Sequence, residues 1–483
     1  MSNHHDQSSE PINKVPLLIV LLSGAFAAIL NQTLLATAIP PIMEDLHLEA
    51  STAQWLTSIF MLVNGVMIPI TAFLIERFTT RRLFLTAMGL FAAGTLICAI
   101  ASNFGILMVG RIVQASGAGI IMPLMQTILF LIFPVEKRGA AMGMFGLVIS
   151  FAPAIGPSLS GWLVEHFPWR SLFYVILPIV IADFILAYFL LKNVTRRTFP
   201  KLDILSIILS SFGFGGLLYG FSIAGTNGWG SIQVLASIIV GGLTLTFFIL
   251  RQFKLKQPIL EFRVFRYRMF ALTTALGMVV FIAMIGAATV LPILMQNMLG
   301  FTPFESGLML LPGALVMGFM NPITGRLFDK FGARWLAIGG LSILTVTTFL
   351  FTNMTPQTSF LYLTVVNAFR MLSVAMVMMP VTTAGLNELP PRLIPHGTAM
   401  NNTMRQVSGA VGTALLVTVM MTAAQPSEGV SGLVHGVNVS FIVAGITAII
   451  GLILSFFIKD PRRIKEKNNE IQPQRTKQKI VQN

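Results

Sequence analysis

One acidic side chain falls inside a long apolar run of this chain: Asp183, in "PIVIADFILAYFLL". A carboxyl at membrane depth is costly in its charged form, so it either exchanges a proton or, kept protonated and bonded to a neighbour, serves structure. Three arginines lie at comparable depth, Arg111, Arg370 and Arg405. Desolvating each costs at least about 3 kcal/mol, so each needs a partner. For Arg370 and Arg405 that partner is an anionic group of a ligand or a facing carbonyl; Arg111 has Gln114 three residues on, on the same helical face. Uncharged amides complete the polar set: Asn31 and Gln32 in "AAILNQTLLATAIP", and Gln126. Such amides bond a polar ligand without demanding charge, or else they glue helices together. Beside 27 Met and 38 Phe they suit a large amphiphile of variable shape.

The same inventory argues against other chemistry. The histidines (His4, His5, His47, His166, His396 and His435) fall in tails or near the ends of apolar runs, and no two acids share a membrane face. Cys98 is the single cysteine, so neither a disulfide nor a cysteine metal site is available. No GxxxxGK[ST] run is present to cradle a nucleotide phosphate. Neither an integral-membrane enzyme nor direct ATP drive has support, and no metal or cofactor is expected. A non-transporting membrane sensor has no positive feature in its favour.

The elements that must hold these residues are membrane helices. Of 483 residues, 55% are hydrophobic and 10% charged, and the mean hydropathy is +0.80. A soluble chain of this length needs far more charge. Fourteen spans are predicted, near 15–40, 53–75, 83–101, 106–133, 139–163, 171–191, 204–224, 232–250, 270–296, 304–325, 335–352, 358–386, 397–423 and 437–458. With both termini inside, the inner segments collect 28 of the 32 Lys and Arg and the outer loops hold Arg170 alone. The polar start, without the basic opening of a cleaved signal, reads as a retained first helix. The net charge of +14 therefore points to anionic lipid, which the basic tail would meet, rather than to nucleic acid. Trp55, Trp162, Trp169 and Trp229 fall near outer span ends, as interfacial anchors do.

The chain also repeats itself. "LIERFTTRR" after span 2 matches "LFDKFGARW" after span 10, "RGAAMGMFG" opening span 5 matches "HGTAMNNTM" opening span 13, and Arg111 corresponds to Arg370. Two six-helix bundles follow, 15–191 and 269–458. Residues 192–268 insert two helices between them, and residues 1–14 and 459–483 form inner tails. Duplicated halves imply alternating access around a midplane site.

On these residues the chain resembles the fourteen-span drug:proton antiporters of the major facilitator superfamily, especially the lincomycin-resistance type of Gram-positive bacteria. "LNQTLLATAIP" resembles the first-helix motif, "ERFTTRR" and "GRLFDKFGAR" the inner-loop motif, and "GRIVQASGAG" the fourth-helix arginine motif. "APAIGPSLSGW" resembles the antiporter motif and "HGTAMNNTMRQVSGAVGTALL" the span-13 signature. Asn31 stands where the family commonly has aspartate, Glu76 and Thr79 replace Asp and Gly of the inner-loop motif, and Ser160 replaces a glycine.

The resemblance implies an all-α polytopic protein of the major facilitator fold, acting as a monomer in the bacterial cytoplasmic membrane. It implies export of amphiphilic drugs such as lincosamides, driven by the proton gradient; an endogenous anionic metabolite is the alternative cargo. It places Arg111 beside a proton site, for which Asp183 is the candidate in place of Asn31. It makes Glu76, Arg77 and Arg81, and Asp329, Lys330 and Arg334, a latch that joins and parts as the halves rock; a solvated basic loop is the plainer reading. In span 5, Pro153 and Pro157 remove backbone donors and bend the helix, while Gly156 and Ser160, beside Gly161, form a small face for close packing.

Overall fold

A computed structural model describes residues 14–195 and 198–459. The N-terminal tail, Arg196, Arg197 and the basic tail after Lys459 lie outside the described residues. Fourteen helices are long and apolar enough to cross a membrane. The first six are α1 (Lys14–Leu46), α2 (Ala50–Arg77), α3 (Thr80–Ala99), α4 (Phe104–Ile132), α5 (Arg138–His166) and α6 (Ser171–Leu190). An inserted pair follows, α7 (Ile204–Asn227) and α8 (Ile232–Lys254). The last six are α9 (Arg268–Asn297), α10 (Pro303–Phe331), α11 (Ala333–Leu350), α12 (Phe360–Asn387), α13 (Ile394–Ala423) and α14 (Val430–Ser455).

Every predicted span coincides with one helix, but several helices outrun the apolar stretch. α1 continues through Pro40 and Pro41 to Leu46, α10 continues to Phe331, and α14 begins at Val430. Hydropathy registers only the part of a helix that lipid surrounds; polar turns beyond it keep their backbone hydrogen bonds in water.

Within the first six helices, α1 packs on α5 and α6, and α3 on α4 and α6; within the last six, α9 packs on α12, α13 and α14. The halves meet where α5 crosses α10 and α2 crosses α13, with α4 reaching α13. α7 lies against α2 and α13, so the inserted pair flanks the second crossing. A stacked Trp55–Tyr219 pair at 5.4 Å and a Trp229 Nε1–H bond to Thr418 Oγ1 (2.7 Å) fasten it there. At the other end of the pair, Asp203 takes two bonds from the Arg251 guanidinium (2.7 and 3.0 Å), which holds its carboxyl below the ordinary carboxylate value.

One tryptophan departs from the expected anchoring role. Trp162 is exposed, but Trp169 is buried, its Nε1–H donating to Asp45 beside Arg170. Arg170, expected in an outer loop, thus closes a tie between α1 and the start of α6 rather than facing lipid headgroups.

Candidate functional site at the joint between halves

The joint is assembled from small and polar residues at the basic end of the bundle. On α5, Gly139, Gly143 and Gly146 fall at i, i+4 and i+7 and face Asn321 and Gly325 of α10. A Cβ on Gly139 would strike the carbonyl oxygen of Gly325, and one on Gly325 would strike that of Gly139, so the backbones touch there. Asp329, at the end of α10, accepts the backbone N–H groups of Gly139 and Ala140 at 2.8 Å each. A carboxylate on the orphan donors of a helix N-terminus is a charge-assisted, dipole-favoured contact. Deeper in the same crossing, Asn321 Nδ2 donates to Ser150 Oγ at 2.9 Å.

The repeat places Glu76 at the end of α2 as the counterpart of Asp329, and His396 opposite it as the counterpart of Arg138. Glu76 Oε1 meets His396 Nε2 at 3.1 Å. The backbone N–H of Glu261 donates to His396 Nδ1 (3.3 Å), which leaves Nε2 to carry the proton toward Glu76. Between these crossings, Thr127 and Thr398 share a hydrogen bond at 2.8 Å, and Asn402 Nδ2 donates to Gln126 Oε1 at 2.7 Å. Arg138 Nη1 donates to Asn387 Oδ1 at 2.8 Å. Every side-chain hydrogen bond described between the halves lies at or toward the basic end.

The latch basic residues behave differently from the expectation. The acids reach across the joint, but Arg77 donates to Pro200 O (3.3 Å) and lies over the Phe199 ring, while Arg81 bonds Tyr188 O and its backbone N–H bonds Asn193. Arg77 is thus drawn to the linker after α6, and Arg81 to the last turn of α6 and the linker's start, rather than to the opposite half. Lys330 lies over the Phe331 ring, and Arg334 keeps a buried Nε without a hydrogen-bond partner.

The membrane arginines are each held inside their own half. Arg111 donates to Leu56 O (3.2 Å) and Gln114 Oε1 (2.6 Å) and stacks on Phe60; Gln114 in turn donates to Thr95. Arg370 donates to Ala283 O (2.5 Å) and Thr348 Oγ1 (3.5 Å), and Thr348 is the repeat partner of Thr95. Arg405 bonds Met378 O (3.3 Å) and Thr382. Facing carbonyls and hydroxyls therefore supply the partners, with one buried N–H group of each arginine left over.

Asp183 and Arg111 are not brought together. Asp183 is buried where α6 meets α1 and α3, accepting from Ser23 and lying beside Gly24. Phe84 and Met88 of α3 border the same spot, whereas Arg111 lies by the Gly94–Cys98 stretch, about 15 Å further along α3. α4 turns Arg111 toward α2, where it bonds Leu56 O. Asp183 Oδ2 has no hydrogen-bond partner.

The first-helix and antiporter motifs do meet. Thr33 fits against Gly156, where a Cβ would displace it, and Ser160 Oγ donates to Leu34 O at 2.6 Å. α5 runs unbroken through Pro153 and Pro157, and Gly161 borders open space. Asn31 is buried with Nδ2 unpaired, and Gln32 is half-buried beside it. The crossing bordered by Ser150, Met317, Asn321, Val374 and Met378 is packed closed and leaves no room for a drug.

Sequence reasoning missed His396, Asn402, Thr127, Asn321 and the Gly139–Gly143–Gly146 face. For the glycines the signal was legible, since "RGAAMGMFG" spaces them along one helical face; for the polar residues nothing in the sequence names the partner helix.

This arrangement, two duplicated six-helix bundles joined by breakable polar contacts at one end, defines a transporter. The Major Facilitator Superfamily model matches residues 21–413, and the chain belongs to that family. It is 58% identical over 460 residues to an uncharacterized MFS-type transporter of Bacillus subtilis, YcnB, covering 95% of this chain and 98% of that one. It is 43% identical over 460 residues to the lincomycin resistance protein LmrB of Listeria innocua, covering 93% and 98%. The crystal structure of the human organic anion transporter MFSD10 superposes with a TM-score of 0.68 over 92% of this chain and 99% of that one, at 14% identity, a likeness of fold. The protein is a multi-pass protein of the bacterial membrane, and it is not an enzyme.

Proposed function

We propose that this transporter exports amphiphilic drugs, lincosamides among them, and that the proton gradient drives it. The observation that carries the reading is the joint: Asp329 on the α5 N-terminus, Glu76 on His396, and the Thr127–Thr398 and Gln126–Asn402 bonds between them. With the basic end inside, these contacts close the cytoplasmic side, and parting them admits cargo from the cytoplasm. The likeness to lincomycin resistance proteins supports the drug class. Cargo meets Asn31, Gln32 and Gln126, whose amides ask for hydrogen bonds and not for charge.

The coupled proton is carried by Asp183. Its Ser23 contact puts the carboxyl on α1, two turns from Asn31, so a change of protonation there is felt by the helix that carries the amides. The test is lincomycin transport in proteoliposomes under an imposed pH gradient. Wild type is expected to respond and Asp183→Asn to lose the response while still binding lincomycin. Equal responses would make Asp183 structural; no lincomycin transport by wild type would remove the lincosamide reading.

A further inference from the structure

On the lipid-facing side of the first bundle, away from the joint, α3 and α6 part at the basic end to leave a groove of about 520 Å³. Arg81 and Arg82 stand at its mouth; Leu85, Gly89, Phe184 and Tyr188 line the rest. On α3 the positions 82, 85 and 89 form one stripe, so the groove runs about 10 Å from the charged end toward the bilayer interior. Charge lies at one end and apolar wall at the other, and among the described residues no carboxylate lines it. Ile181, Ile185 and Phe189 beside it on α6 are exposed large hydrophobics, so the groove opens to the bilayer.

We propose that this groove binds an anionic phospholipid of the leaflet on the basic side, its phosphate against Arg81 and Arg82 and its upper acyl chain along Gly89 and Phe184. Charge complementarity selects an anion, and the apolar wall selects one that carries a chain. The Arg82 guanidinium lies over the Phe78 ring and has no carboxylate partner among the described residues, so it is available to a phosphate. Gly89 provides the room: a Cβ there meets only Phe184, at 3.6 Å.

The groove also borders the start of the linker after α6. Asn193 accepts the Arg81 backbone N–H, and Thr80 takes the N–H groups of Val194 and Thr195. On the far side of Arg196 and Arg197, which lie outside the described residues, the N–H and hydroxyl of Thr198 both bond Glu76. Lipid binding in this groove does not depend on which cargo the protein exports.

The experiment is native mass spectrometry of the full-length protein, titrated with phosphatidylglycerol or with phosphatidylcholine of the same chains. Phosphatidylglycerol is expected to be retained preferentially. Arg82→Gln should weaken it about fivefold, the worth of one basic residue near a lipid headgroup, and Gly89→Leu should weaken it by filling the groove. Lys254→Gln, an exposed charge elsewhere on the basic end, should leave it unchanged. Equal losses in Arg82→Gln and Lys254→Gln would mean diffuse attraction and overturn the proposal. Equal retention of phosphatidylcholine, or displacement of the lipid by inorganic phosphate alone, would overturn it as well. Arg82 is exposed, so its variant tests the site even if Gly89→Leu folds poorly.

Discussion

The α5–α10 and α2–α13 crossings descend from one repeat, yet they are held differently. At α5–α10 the acid is Asp329, and its short side chain caps a helix N-terminus directly. At α2–α13 the acid is Glu76; one methylene longer, it meets an imidazole instead. The backbones touch at Gly139 and Gly325, whereas the counterpart of Gly325 on α2 is Ala72. Gly332 adopts φ +80, a conformation that favours glycine, while its counterpart Thr79 sits at φ −71, where a side chain costs nothing. α7 packs on the second crossing. One crossing is thus secured by backbone contact and a helix cap, the other by side chains and an added helix. A duplicated fold can hold its two joints with different strengths, and a rocking transporter can use the weaker one as its yielding side.

The severest way to break this comparison is Gly325→Val. Its branched side chain meets the Gly139 carbonyl, overpacking costs about 1–3 kcal/mol, and gradient-driven transport should fall tenfold or more. Wild-type transport by that variant would show that the tight crossing is not needed. Next, Asp329→Asn removes the charge on the α5 N-terminus. A loss of about 1–2 kcal/mol should shift the closed population several-fold, read from spin-label distances between the basic ends of α5 and α10. Glu76→Gln should shift the α2–α13 distance less than threefold, because an amide oxygen still accepts from His396 Nε2. Equal shifts would abolish the asymmetry.

A double-mutant cycle of Thr127→Val and Thr398→Val should give a coupling of about 0.5–1.5 kcal/mol in thermal unfolding, the worth of one hydrogen bond. Smallest is Asp203→Asn, whose effect on melting temperature should fall below those of the other variants because the Arg251 partner is exposed. The Asp203 carboxyl is held below its ordinary value of 3.8, so its contribution is full above that value and fades only as pH falls through the lowered one. The difference in melting temperature between wild type and Asp203→Asn should therefore stay constant between pH 8 and pH 5.

The span count was legible because lipid imposes it: a helix that leaves water needs an apolar run of known length, and such runs were countable. The helix ends were less legible, as α1 shows in passing through Pro40 and Pro41. The membrane arginines could be named from their cost in lipid, but their partners could not. Leu56 O, Ala283 O and Met378 O are backbone atoms, which any residue supplies. Asp183 was visible as an acid out of place, while its distance from Arg111 depended on which way α4 faced.

What the sequence determined by itself was the solvent of each segment and the duplication of the chain. Apolar length, basic asymmetry and internal repeats are local or one-dimensional properties. What only the tertiary structure decided was which polar groups face one another across the joint: Asp329 on Gly139, Glu76 on His396, Gln126 on Asn402. Those pairs are separated by 190 to 320 positions along the chain. Helix rotation and crossing angle, set by packing of the whole bundle, select them, and no spacing within one helix records that choice.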